Sequence, residues 1–292
     1  MNKRTVLGTI FDIFNVVFML LLSCIMLYPI LHVLFASVSN GNLVMQHNGL
    51  LLKPLDFTLD AYKAVMEDER VFTGYGNTLI VLVGGVCVNI VLTCIGAYFL
   101  TRKNVMFQKP IMILITATMF INGGLVPFYL IVKNLHITDS LWALILPVAV
   151  NTYNLIIMKT GFASIPDSLE EAAKIDVAND EWILIFVMVP LAMPTIAVII
   201  LYYAVYHWNA WFNAMIFLRK RDLYPLQLIL REILIQNQTE QQVNMEALQN
   251  AQSVSESIQY ATIMVSVIPA LIIYPFLQKY FVKGVMVGAV KG

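Results

Sequence analysis

The residues of this chain that could do chemistry fall into two groups. The first is EEAAKIDVANDE at 170–181, where Glu170, Glu171, Lys174, Asp176, Asp180 and Glu181 crowd six charges into twelve positions. Elsewhere charge is scarce: of 292 residues, 12% are charged and 59% are apolar. Charges packed this closely on a short segment suit docking against a surface of opposite sign. The second group is uncharged. Asn89, Asn122, Asn151, Tyr153 and Asn154 lie in or beside long apolar runs. Amides supply hydrogen bonds and a phenol supplies an apolar face, which together suit a neutral, hydroxyl-rich solute. Amides also hold membrane helices together, so that role stays open for each of them.

Covalent chemistry finds no foothold. No HExxH, GxSxG or GxxxxGK[ST] pattern occurs, and no carboxylate pair falls within an apolar run. Cys24, Cys87 and Cys94 have no CxxC spacing and read as small core residues. His32 is the one ionisable residue within the runs, which leaves a proton relay few parts, although backbone carbonyls alone can bind sodium. Uphill movement of a solute would therefore draw its energy from another chain.

The elements that must position these residues are membrane helices. A soluble domain carries about 25% charged residues, twice what is found here. A helical span needs roughly 20 apolar residues, and six segments free of Asp, Glu, Lys and Arg qualify or come close: Ile13–Ala36, Thr78–Leu100, Pro110–Val132, Leu141–Met158, Ile183–Tyr206 and Tyr260–Gln278. The first follows Lys3 and Arg4 in the manner of a signal peptide, but its run is too long for a cleaved one and reads as a retained anchor. Lys and Arg are about twice as dense on 1–12, 101–109, 159–182 and 279–292 as on the intervening segments, which places both termini and the acidic stretch in the cytoplasm. The outer segments are long. Residues 37–77, with Pro54 and the Glu67–Arg70 charges, suggest a small exposed subdomain. Residues 207–259 open on an aromatic set, Trp208, Trp211 and Phe212, and become amide-rich from Gln236 onward.

Local rules make the acidic stretch a short helix. Ser164 is a candidate N-cap, Pro166 sits where a helix start tolerates proline, and Asp167, Glu170 and Glu171 favour the positive end of the dipole. Glu170 and Lys174 form a well-oriented i, i+4 pair, while Asn179 and Asp180 can end this helix and cap the next span. With acids on one side and alanines on the other, the helix is shaped for a partner's basic-rimmed groove; a solvated loop that merely marks one membrane face is the alternative.

The stretch SIPDSLEEAAKIDVANDEWILIFVMVPLAMP resembles the EAA loop of binding-protein-dependent ABC importer permeases: Glu-Ala-Ala, a Gly six residues after the Glu and a Pro nineteen after it. Glu171, Ala172, Ala173, Asp176 and Pro190 fall in register, and Pro194 matches a second proline of the carbohydrate subgroup. HWNAWFNAMIFLRKRDLYPLQLILREIL is similar to the external segment of permeases related to the maltose importer, especially those serving uronic-acid oligosaccharides such as pectin or alginate fragments. KGVMVGAVKG is similar to their C-terminal tail.

The resemblance implies an all-α membrane protein with six transmembrane helices of the type I importer fold. Its parts would be an anchor and external segment (1–77), a permease core (78–281) with a coupling helix near 166–181, and a cytoplasmic tail (282–292). It implies a permease subunit in a bacterial cytoplasmic membrane, not an enzyme, that receives an oligosaccharide from an external solute-binding protein and passes it inward by alternating access. A second permease would complete the pathway, and a dimeric ATPase would hold the ATP and Mg²⁺. Glu170, Glu171, Ala172, Ala173, Lys174, Asp176 and Val177 would contact that ATPase, as would the tail residues Gly288, Ala289, Val290, Lys291 and Gly292. Trp208, Trp211, Gln236, Gln241 and Gln242 would face the binding protein. Val177 stands where the family has glycine, and valine disfavours a left-handed turn; the helix is therefore expected to run past 177 and to turn at Ala178 or Asn179. A self-sufficient secondary transporter or channel for a neutral polar solute is the alternative function.

Overall fold

The computed structural model describes residues 6–102, 105–175, 179–243 and 257–272. Two compact units emerge, residues 1–69 with 232–269, and residues 70–231 with 270–292. The described residues are helical almost throughout, and their only β pairing is one antiparallel bridge between Ser39 and Phe57.

In the first unit, α1 (Val6–Ser37) is a long helix whose apolar side chains are exposed on every face over most of its length. A helix apolar all round has lipid or another chain as its natural surroundings. Its end is tied by short polar contacts. The Ser37 hydroxyl donates to the Leu34 carbonyl at 2.8 Å and meets the Tyr62 hydroxyl at 2.8 Å, while Ser39 Oγ donates to Phe35 at 2.6 Å and accepts from Leu55 N–H at 2.9 Å. These contacts seat α2 (Gly41–Gln46), N-capped by Asn40, and α3 (Asp60–Glu67) at the end of α1. His32 is half-buried, with Nδ1 3.3 Å from the Tyr28 hydroxyl and its ring edge-on to Tyr260.

The second unit is built on α4 (Glu69–Thr101), a single unbroken helix of 33 residues without proline. After it come α5 (Gln108–Ala117), α6 (Leu125–Asn134), α7 (Trp142–Ile145, prolonged by a 3₁₀ turn to Val148) and α8 (Thr152–Ala163). Next are α9 (Asp167–Ile175), α10 (Asp180–Ile183), a π-helical turn over Leu184–Met188, α11 (Val189–Leu191), α12 (Met193–Trp208) and α13 (Phe212–Phe217). α14 (Leu226–Val243) begins in this unit, and α15 (Ser257–Ile272) belongs mainly to the first. Cys94, Ala97 and Tyr98 of α4, Leu155, Met158 and Phe162 of α8, and Ile196, Ile199 and Tyr203 of α12 interlock in the main core.

Six spans were the expectation from hydropathy; the described residues leave that count unconfirmed and show that several of the segments are broken. Among the described residues only α1 and α4 are unbroken and long enough to cross a bilayer. The segment Pro110–Val132 is split at 118–124, where Asn122 Oδ1 accepts from Gly124 N–H at 2.8 Å and Gly124 holds φ +86°, a value that suits glycine. The segment Leu141–Met158 bends by 54° between Val148 and Thr152, after Pro147. The segment Ile183–Tyr206 bends by 86° at Ala192, between Pro190 and Pro194. Each proline removes an N–H and clashes with the preceding turn. Hydropathy averages over such breaks, because a window sees apolar content and not backbone hydrogen bonding.

Candidate functional site: an uncharged cavity and an acidic surface helix

The breaks gather the uncharged polar group. A cavity of about 750 Å³ is lined by Asn122, Asn151, Tyr153 and Asn154, four of the five residues expected along a solute path. They arrive there by different routes: Asn122 from the gap between α5 and α6, and the other three from the start of α8. Asn151 is the N-cap of α8, accepting from Asn154 N–H at 3.1 Å, so its carbonyl oxygen is occupied locally. Thr118 and Thr152 join the rim, their hydroxyls 3.1 Å apart. Among the described residues, no Asp, Glu, Lys, Arg or His lines the space.

Three residues that the sequence reading passed over complete the wall. Tyr202, Tyr203 and Tyr206 line it from α12, and Tyr202 and Tyr206 are one helical turn apart on one face. The Tyr202 ring lies 6.4 Å from that of Tyr153, and the Tyr206 hydroxyl accepts from Asn213 at 3.2 Å. The signal was present as YYAVY within an apolar helix but was absorbed into the hydrophobic count. A cleft with exposed tyrosine rings and free amide N–H groups offers stacking and hydrogen bonds to hydroxyls, the chemistry that binds a sugar ring.

Asn89, the fifth candidate, is not in this wall. It is fully buried, and its amide donates to the carbonyls of Val148 and Ala149, at 2.8 Å each, while Oδ1 accepts from His207 Nε2 at 2.7 Å. Both polar atoms of the side chain are thus engaged, the nitrogen holding the kink between α7 and α8 and the oxygen bonded to α12. His207 is a second omission: the sequence reading ended the span at Tyr206, whereas α12 runs to Trp208 and buries the imidazole. Its ring packs directly on Gly85, where a Cβ would come within 2.7 Å of Cε1. Nearby, Tyr203 accepts from Asn151 N–H at 2.9 Å and meets the Thr93 hydroxyl at 2.8 Å.

The acidic stretch is helix α9, as local rules required, but its start differs. Ser164 is not the N-cap: its hydroxyl donates backward to the Gly161 carbonyl at 2.7 Å and closes α8. Asn179 caps the following helix as expected, its side chain accepting from Trp182 N–H at 2.8 Å, with extended backbone at φ −77° and ψ 165°. Whether the helix runs past Val177 and turns at Ala178 lies outside the described residues, as does Asp176; Asn179, the other position expected to turn, has the extended backbone of that cap.

The two adjacent glutamates have different surroundings. Glu170 turns back onto its own chain, ion-paired with Arg102 and, at 2.6 Å, with Lys174. Only 14% of the Arg102 side chain and 17% of that of Glu170 are exposed. The Arg102 guanidinium lies over the Tyr98 ring at 3.9 Å, and the Tyr98 hydroxyl donates to Asp180 Oδ1 at 3.3 Å. Glu171 and Ala172 face outward, Ala173 packs against the core, and Leu169 and Ile175 are exposed, Ile175 by 80%. The exposed surface of α9 thus carries the carboxylates of Asp167 and Glu171 and the Lys174 ammonium alongside small and apolar side chains.

Of the residues expected to face a binding protein, Trp208 is half-buried with its ring 6.5 Å from Tyr75, and Trp211 lies under the Arg231 guanidinium at 4.2 Å. Gln236, Gln241 and Gln242 fall on α14. The tail residues Gly288–Gly292 lie outside the described residues.

An all-helical chain with broken apolar helices around an uncharged polar cavity, and one acidic helix whose exposed side mixes charged with apolar side chains, has the makings of a membrane transport subunit. No protein-family model matches it. It is 38% identical over 283 residues to the polygalacturonan/rhamnogalacturonan transport system permease protein YtcP of Bacillus subtilis (strain 168), covering 97% of this chain and 99% of that one. It is 36% identical over 289 residues to the protein LplC of the same organism, covering 99% and 97%. A crystal structure of a bacterial ABC transporter involved in the import of the acidic polysaccharide alginate contains a chain with TM-score 0.85 and 33% identity, covering 96% of this chain and all of that one. The chain belongs to the permease subunits of ABC sugar importers. Such permeases are not enzymes; ATP hydrolysis resides in a separate subunit.

Proposed function

We propose that this permease carries an acidic, uronate-containing oligosaccharide across a bacterial cytoplasmic membrane as one of two different permease subunits. It receives the solute from an external binding protein, and a dimeric ATPase holding ATP and Mg²⁺ drives it through α9, the docking helix. Both termini lie in the cytoplasm and the chain crosses the bilayer six times, the broken helices each counting as one crossing.

The observation that carries this reading is the pairing of a sugar-suited cavity with an outward-facing Glu171 in a chain that matches transport permeases over nearly its whole length. Similarity to one system named for polygalacturonan and rhamnogalacturonan, and to another described as importing alginate, supports an acidic cargo. Basic density supports the orientation.

The test is affinity purification of the tagged chain from its membrane in mild detergent, followed by uptake in liposomes. A second permease and an ATPase should co-purify, and uptake of oligogalacturonate should require ATP and the binding protein. Uptake by the chain alone would overturn the proposal in favour of a self-sufficient carrier, and uptake of neutral maltotriose in preference to oligogalacturonate would overturn the acidic cargo.

A further inference from the structure

α4 is gripped at two places along its length, and the two grips lead to the two functional regions. At one end, Arg102 follows the last helical residue and holds Glu170 of α9, while Tyr98, one turn earlier, holds Asp180 at the start of α10. Thirteen residues up the same helix, about 20 Å at 1.5 Å per residue, Asn89 holds the carbonyls of Val148 and Ala149 at the kink beside the cavity. Val148 lines that cavity. Between the grips, Thr93 meets Tyr203, which in turn accepts from Asn151 N–H at the cavity wall.

We propose that α4 is a connecting rod: Arg102 fastens the docking helix to it, and Asn89 transmits its displacement to the cavity rim. This rests on the docking role of α9 proposed above.

The chemistry of each grip suits a coupling that survives load. The Arg102–Glu170 pair is largely withdrawn from water, a second cation sits on the same carboxylate, and an aromatic ring backs the guanidinium. Separating such a pair leaves an uncompensated charge in a poorly solvated place, unlike an exposed pair that water readily replaces. At the other grip both amide N–H groups are used on consecutive carbonyls, so the kink cannot shift without moving Asn89 or orphaning two acceptors. α4 between them contains no proline to absorb the motion. The same geometry divides labour between the neighbouring glutamates: Glu170 belongs to the rod, and Glu171 is left for the partner chain.

The experiment uses the whole transporter in liposomes, with ATP hydrolysis and solute uptake measured in the same vesicles and ATPase co-purification as the control for docking. Arg102→Gln should lower uptake about tenfold, within the usual range of coupling between sites, while hydrolysis persists, and Arg102→Lys should restore part of the uptake. Because both changes cut one rod, Arg102→Gln combined with Asn89→Ala should be no worse than the more severe single change. Equal losses of uptake and hydrolysis in Arg102→Gln, or multiplied losses in the double variant, would overturn the proposal.

If Asn89→Ala does not assemble, cross-linking decides. With Cys24, Cys87 and Cys94 replaced, Arg102→Cys and Glu170→Cys are bridged by a bifunctional thiol reagent. Retained uptake supports a grip that stays closed through the cycle; abolished uptake refutes it. Absence of the ATPase from the purified wild-type complex would instead sink the docking role, and the rod with it.

Discussion

Replacing Asn89 by alanine separates two readings of an asparagine buried in a membrane protein, solute contact and structural brace. The side chain makes three hydrogen bonds, two to the kink carbonyls at 2.8 Å and one from His207 at 2.7 Å. At roughly 0.6 to 1.5 kcal/mol per bond, from the membrane average to the upper end of the general net value, their loss costs about 2 to 4.5 kcal/mol. No cavity wall is removed, since Asn89 does not line the space. The assay is thermal unfolding of the purified transporter in detergent, paired with the KM for solute uptake. The expected result is a clear fall in stability with KM little changed in whatever fraction assembles. Stability within about 0.5 kcal/mol of wild type, the range of a neutral surface change, together with a raised KM, would refute the brace and restore Asn89 to the solute path.

Other changes read out different parts of the structure. Tyr206→Ala should raise the KM for uptake about fivefold by removing roughly 1 kcal/mol of ring contact, while Tyr206→Phe, which keeps the ring, should not. Asn151→Ala should destabilise α8 by about 1 kcal/mol through the lost N-cap, seen as a lower unfolding temperature of the purified protein. Gly85→Ala should cost about 1 to 3 kcal/mol, because its methyl would press on the buried His207 ring, and unfolding should again report it. Glu171→Lys should cut uptake more than about tenfold and reduce ATPase co-purification, since it reverses the charge on the outer face of α9. Normal co-purification in that variant would remove Glu171 from the interface.

What could be read from the sequence follows from which interactions are local. The i, i+4 pair of Glu170 and Lys174 and the cap at Asn179 depend on residues within one turn, and both occur. The cap at Ser164 also looked local, yet its hydroxyl had a competing acceptor behind it, the Gly161 carbonyl at the end of α8. Whether Ser164 closes one helix or opens the next depends on where α8 stops, which no short pattern states. Asn89 and Asn151 were indistinguishable as amides in apolar surroundings. They part company only because residues 59 and 60 positions further along the chain fold back to offer Asn89 their carbonyls. Arg102 was counted merely as a charge marking one face of the membrane. Its partner lies beyond four intervening helices, so its part in holding Glu170 was invisible until the chain folded.

The cavity's lack of charge bears on an acidic cargo. A cation fixed there would hold a uronate carboxylate strongly, and a transport site must bind weakly enough to release. Tyrosine faces and amide N–H groups contribute about 1 kcal/mol apiece, enough to orient a sugar ring but not to trap it. An open cavity of about 750 Å³ also leaves room for water around the carboxylates, which lowers the cost of passing them through without a counter-charge. Selection for charge then falls to components that meet the solute earlier. On this reasoning, a lysine introduced at Thr118 on the cavity rim should lower the KM for oligogalacturonate and lower the maximal uptake rate with it. A lysine that raised both KM and rate would mean that release from this cavity does not limit transport.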